Sequence, residues 1–358
     1  MTPLADRASA VTPPDEASRV AGLRRLDILT KPQGSLGRLE QLGAWACAVQ
    51  GACPPHLFAR PRVVLFAGDH GIARTARTSA YPPDVTAQMV RNFVQEGAAI
   101  NVLARQAGAT VRVVDVSVDA DADYLQSLAP SVASRRIRRS SGSIDREDAA
   151  TLEETQAAIE LGAAIADDEV DSGADLLIAG DMGIGNTTPA ASLIGLLTGK
   201  DASMVTGLGT GIDDATWMRK AAAVRDAMRR GRPYRGDPDR LLSVVAGADF
   251  AAMAGFIVQA AVRRTPVILD GTIITAAALV AARTSPRLTA WWLAGHRSTE
   301  PAHALALDHL DLEPVLDLSL RLGEGTGAVL ALQVVQSAIA ALADMATFEQ
   351  AGVDDRDA

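Results

Sequence analysis

The chain has 358 residues, 48% of them hydrophobic and 4% aromatic, and a formal net charge of −9. Such length and apolar content exclude a disordered chain and suit one large domain plus a smaller one, or two domains. The acidic balance argues against a general nucleic-acid binder, which would show a basic face.

Residues 1–18 are polar, carry Pro13 and Pro14, contain no apolar signal core and read as a flexible leader. Residues 19–50 read as helical segments broken at Pro32-Gln33-Gly34-Ser35, after which Leu36, Leu39, Leu42 and Trp45 recur at helical spacing. Cys47 and Cys53 match neither a C-x-x-C redox pair nor half of a zinc site, and read as thiols of a reducing compartment, the cytoplasm by default. From residue 62 a pattern repeats: a short apolar run ends in a cluster of Gly, Asp, His, Ser or Thr. The runs are 63–66, 111–118, 176–178, 242–245, 266–269 and 290–293. Ala-rich helical stretches at 84–107, 147–168, 215–230, 251–263 and 272–283 separate them. The basic stretch Arg135, Arg136, Arg138 and Arg139 reads as a solvated charged segment, with an anion contact as the alternative.

This alternation predicts an α/β fold, a parallel Rossmann-like sheet with helices on both faces. Ligands of such sheets sit beyond the carboxyl ends of the strands, where the polar clusters fall. After residue 300 the pattern turns helical. Residues 328–348 read as one long helix that, with no strand left to pack on, joins the N-terminal helices. The expected organisation is a leader at 1–18, a small helical domain from 19–60 with 328–358, and a large α/β domain at 61–327. No uninterrupted apolar run approaches the ~20 residues of a membrane span.

Three glycine-rich segments carry candidate chemistry. Gly180-Asp181-Met182-Gly183-Ile184-Gly185-Asn186-Thr187-Thr188 follows a strand and opens a helix, so its amides could face an anion; a plain turn with a Thr cap is the alternative. Gly207-Leu208-Gly209-Thr210-Gly211 is followed by Lys220, which could return to the same anion or lie on the surface. Arg321-Leu322-Gly323-Glu324-Gly325-Thr326-Gly327 flanks an acid with glycines, giving either a solvated loop glutamate or an exposed general base. Asp69-His70 lacks a second pair at metal-ligand spacing, and His296, His303 and His309 lack the four-residue spacing of a helical zinc pair. No metal site is expected. There is no P-loop and no strand-linked G-x-G-x-x-G.

Taken together, several ordered segments resemble one family, the nicotinate-nucleotide–dimethylbenzimidazole phosphoribosyltransferases of cobalamin biosynthesis. They are TKPQGSLGRLE at 30–40, AGDHG at 67–71, the stretch 79–109 and GDMGIGNTT at 180–188. GLGTGIDD at 207–214, PVILDG at 266–271, AGHRSTEPAH at 294–303, LDLSLRLGEGTGA at 316–328 and DMATFEQAGV at 344–353 follow. The resemblance implies a homodimer, no cofactor, and transfer of ribose phosphate from nicotinate mononucleotide to a benzimidazole base. It implies Glu324 as the base. Asp181, Gly183, Thr187, Gly209, Lys220, Gly271 and Ser298 would surround the nucleotide, and Ser79, Tyr81, Gln88 and Met182 would line the acceptor pocket. The chain departs from the family at Asp181, where glutamate is usual, and at Ala246-Gly247-Ala248-Asp249-Phe250. Both departures bear on acceptor preference. The rival readings are an NAD(P)-dependent oxidoreductase, against which the missing dinucleotide fingerprint counts, and a non-catalytic nucleotide sensor of the same fold.

Overall fold

The structure is a computed structural model and describes residues 2–129 and 131–354. Six strands form one sheet in the order β2-β1-β3-β4-β5-β6, and every pair is parallel. They are β1 (Pro61–Gly68), β2 (Thr110–Ser117), β3 (Leu176–Met182), β4 (Val267–Leu269), β5 (Trp292–His296) and β6 (Pro314–Leu316). Val63, Val64, Leu65 and Phe66 are all fully buried, as a strand covered on both faces requires. Each such side chain contributes about 1.5–3 kcal/mol relative to leaving it in water.

Two groups of helices do the covering. Ala248–Val262 lies along β1 to β4 and packs on Leu152–Asp171, while Thr326–Asp344 lies along β3 to β6 and packs on Arg38–Gln50. The two groups meet the same central strands without substantial contact with each other, so they occupy opposite faces. The chain moves outward from β1 to β2 and then crosses to β3 on the other side. That reversal lies between β1 and β3, where such sheets open a ligand crevice at the carboxyl edge.

Four expectations change. The run 242–245 is the end of a helix, Pro238–Val245, not a strand. Asp237 caps it by accepting from Arg240 N, and Pro238 sits at its start, two helix-start signals that outweigh the apolar run. The sheet instead gains β6 after residue 300, a three-residue edge strand beginning with proline, a residue that strand edges tolerate. The leader is packed: Leu4–Ala8 forms a helix, Leu4 and Val11 are fully buried, Arg7 bonds Gln259 and Glu160, and Trp291 Nε1 donates to Thr12 O. The long helix spans Thr326–Asp344 and packs on the sheet as well as on the N-terminal helices. That helix is long and apolar enough to pass for a membrane span by length and composition alone, but it is mostly buried inside the protein, as the core helix of a sheet is.

Candidate active site

The carboxyl edge of the sheet collects several of the chain's buried acids. Asp69 and His70 follow β1, Asp181 lies near the end of β3, Asp270 follows β4 and His296 ends β5. The loop Gly323-Glu324-Gly325 lies over β3, and all three residues have positive φ (85°, 63° and 93°). A glutamate held in that left-handed conformation is strained by about 1–3 kcal/mol, and such strain persists only where neighbours impose it. The neighbours are visible. Gly180 has no Cβ, and one there would overlap the Glu324 carbonyl. Asp270 grips the far side, its Oδ2 accepting from Gly325 N and its Oδ1 from Ala328 N, both at 3.0 Å. Asp270 thereby holds the first turn of Thr326–Asp344.

The Glu324 side chain is buried, and Oε2 has no hydrogen-bond partner among the described residues. Burial raises its pKa above the ordinary value, an N–H from Ile100 opposes that, and the Asp270 carboxylate adds to the rise. Asp181 is pushed well up, first by burial and then by Asp270 and Glu324. Its Oδ2 accepts from Asn186 Nδ2 at 2.9 Å, and its carboxylate fills the space a side chain at Gly323 would need. Asp181 therefore supports the Glu324 loop and Asn186. Two buried histidines stand among these acids. His70 Nε2 lies 3.1 Å from Asp249 Oδ2, and His296 Nε2 lies 3.6 Å from Asp270 Oδ1.

The second part of the site is basic and polar. Asp213 caps the helix Asp214–Gly231 by accepting from Thr216 N, and that helix carries Lys220 inward. Lys220 is fully buried; its Nζ donates to Thr187 Oγ1 at 2.9 Å and to Gly207 O at 3.1 Å. Burial lowers its pKa to about 8, against the pull of Glu300. Gly209 N donates to Glu300 Oε1 at 2.7 Å, and Arg321 Nη1 donates to Gly209 O at 2.6 Å. The 321–327 segment thus touches both the 180–188 and the 207–211 loops.

Ser298 N donates to His303 Nδ1 at 2.9 Å, so the ring proton sits on Nε2, which lies 3.1 Å from Thr275 Oγ1. Thr275 Oγ1 in turn donates to Gly271 O at 2.7 Å. The relay ties the 298 and 271 loops together, and burial depresses the His303 pKa to about 3, keeping the ring neutral.

The structure therefore brings Glu324, Asp181 and Met182 to one side, Thr187, Gly209 and Lys220 to the other, and links Ser298 to Gly271. Gly183 lies against the Gly68 carbonyl, close to His70. Ser79 and Ala80 join the second loop through Thr210, whose Oγ1 accepts from Ala80 N at 3.0 Å. Tyr81 is exposed beside them. Gln88 lies on Val85–Val94, and its side chain makes no hydrogen bond among the described residues. Sequence reading missed Asp270, Glu300 and His303 as members of the site, and met Asp249 only as part of a departure from the family pattern. Asp270 stood in the polar cluster after a strand, which was its available signal. The His70–Asp249 pairing spans 179 positions and leaves no local trace. Among the described residues, no group of three or more His, Cys, Asp and Glu is arranged to hold a metal ion.

A family model described as phosphoribosyltransferase matches residues 11–353. A Mycobacterium avium (strain 104) protein named nicotinate-nucleotide–dimethylbenzimidazole phosphoribosyltransferase is 60% identical over 347 residues, 97% of this chain and 98% of that protein. The Mycobacterium tuberculosis (strain ATCC 25618 / H37Rv) protein of the same name is 59% identical over 346 residues, 97% of this chain and 94% of its own length. Among solved structures, CobT from Thermus thermophilus superposes with a TM-score of 0.88 at 41% identity, covering 94% of this chain and 99% of that one. The model match and these near full-length relatives together place the chain in the nicotinate-nucleotide–dimethylbenzimidazole phosphoribosyltransferase family.

Proposed function

We propose that the chain transfers the 5-phosphoribosyl group of nicotinate mononucleotide to 5,6-dimethylbenzimidazole or a related base, giving α-ribazole 5′-phosphate and nicotinate for the lower-ligand nucleotide of cobalamin. The observation that carries this reading is Glu324, a buried carboxylate with one free oxygen and a raised pKa, facing a site whose other side holds a buried lysine. The leaving pyridinium is already cationic and departs with the C1′ bonding electrons as neutral-ring nicotinate, so it needs no general acid. One benzimidazole nitrogen attacks C1′ while Glu324 takes the N–H proton from the other. Attack opposite the leaving group inverts C1′, turning a β-nucleotide into an α-nucleotide. The remaining work is positioning, worth up to ~7–11 kcal/mol in favourable cases.

In this reading Lys220 and Thr187 hold the phosphate, with Gly183, Gly209, Gly271 and Ser298 around the nucleotide. Asp181 acts through Asn186 and the Glu324 loop. Ser79, Tyr81, Gln88 and Met182 form the acceptor side, the least constrained part of the site. The working unit is a cytoplasmic homodimer; Tyr81, Leu208, Met218, Leu318 and Leu322 are exposed apolar side chains that a second copy would cover. The helices from both chain ends form a small lobe around Leu26, Leu29, Cys47 and Leu342, beside the large domain's core. The oxidoreductase and sensor readings gain nothing from the comparisons.

The test is a turnover assay with both substrates. Nicotinate release that depends on added dimethylbenzimidazole is expected; tight nucleotide binding without release would refute the assignment.

A further inference from the structure

The donors best suited to a phosphate are not idle in this protein. The Gly209 N–H, in the glycine loop beside Lys220, is held at 2.7 Å by Glu300 Oε1. Glu300 is buried, and its other oxygen crowds Gly207, so the carboxylate lies across the loop. Its backbone is pinned independently: its N–H donates to Ser298 Oγ at 3.3 Å and its carbonyl accepts from His303 N at 3.0 Å. The carboxylate can therefore move while the chain stays fixed.

The charge balance points the same way. Lys220 is wholly buried and, among the described residues, has no carboxylate within ion-pair reach; two of its three protons go to Thr187 Oγ1 and Gly207 O. The acid that acts on it is Glu300. Glu300 thus performs two tasks that an arriving phosphate would also perform: it accepts from the Gly209 amide and balances the Lys220 charge. Two anions cannot share one N–H, and like charges confined to one buried site repel strongly.

Resting on the phosphoribosyl-transfer reading, we infer that Glu300 is a displaceable stand-in for the nucleotide's phosphate, holding the Gly209 amide until the phosphate takes it. It is a specificity-determining residue. A ligand without a 5′-phosphate cannot displace it, so a nucleoside gains neither donor.

Calorimetric titration of the full chain and of its Glu300→Gln and Glu300→Ala variants, with inorganic phosphate and with nicotinate mononucleotide, tests this. Glutamine removes the charge and keeps an acceptor; alanine removes both. Affinity for both ligands should rise in the order native, Gln, Ala, with ~10-fold or more between the ends. Affinity unchanged or weakened in the variants overturns the inference, since a loop clamp or a ribose contact would behave that way. If thermal unfolding shows the alanine variant to be unfolded, the glutamine variant decides alone. Lys220→Ala is the control. If it loses both ligands and the native chain turns over, failure of the Glu300 order removes only this inference. If the native chain binds neither ligand, the functional reading fails instead.

Discussion

Three features of Glu324 suit the proposed role of base: a burial that raises its pKa, a free oxygen, and a strained backbone that holds it over β3. Glutamine in its place keeps the shape and removes the proton acceptor. Glu324→Gln should lower kcat by ~10²-fold or more while nicotinate mononucleotide still binds, which single-turnover nicotinate release and a binding titration will show. Near-normal turnover would take Glu324 out of the mechanism. The pH dependence of kcat/KM follows from the same groups in the free enzyme. As the proposed base Glu324 must be ionised, so activity should fall as pH drops through a value raised above its ordinary 4.5. In its proposed phosphate role Lys220 must be protonated, so activity should also fall as pH rises through about 8. A bell with those two limbs is expected. An acid limb that survives unchanged in Glu324→Gln would belong to another group.

At the scale of elements, the site depends on helices that approach each other unusually closely. Gly162 on Leu152–Asp171 faces the Ala252 carbonyl on Ala248–Val262, and a Cβ there would overlap that oxygen. Gly162→Val should therefore push the two helices apart and cost about 1–3 kcal/mol, read as a lower midpoint in urea unfolding. An unchanged midpoint would show that the helix pair adapts freely. The same packing explains where sequence reading went astray. Leu242, Val244 and Val245 are buried at the end of a short helix, and so brief a mostly apolar run does not distinguish that from a strand. β6 was missed because three residues at a sheet edge carry almost no periodic signal. Leu4 and Val11 lie in a polar segment, and nothing local reveals that Asp239, Gln259, Arg287 and Trp291 wait to receive it.

For the whole molecule, the proposed dimer makes a definite demand. Sedimentation equilibrium should give a mass of twice 37.3 kDa, and aspartate at Leu208 or Leu322 should shift the chain toward monomer. A native monomer would refute the dimer.

The order of residues was enough to define the parallel α/β sheet, the polar clusters at its carboxyl edge, and three glycine-rich loops, one of them flanking Glu324. These are legible because strand-to-helix turns, glycine spacing and apolar alternation are written locally, within a few residues of one another. Which acids share the pocket is settled by folding. Asp249 reaches His70 across 179 positions, Asp270 reaches Gly325 across 55, and Glu300 reaches Gly209 across 91. Each of those partnerships depends on how strands are ordered in the sheet and how helices close over it. Charge, burial and hydrogen bonding are properties of neighbours in space, so the protonation states that make this site work arise only once the chain has folded.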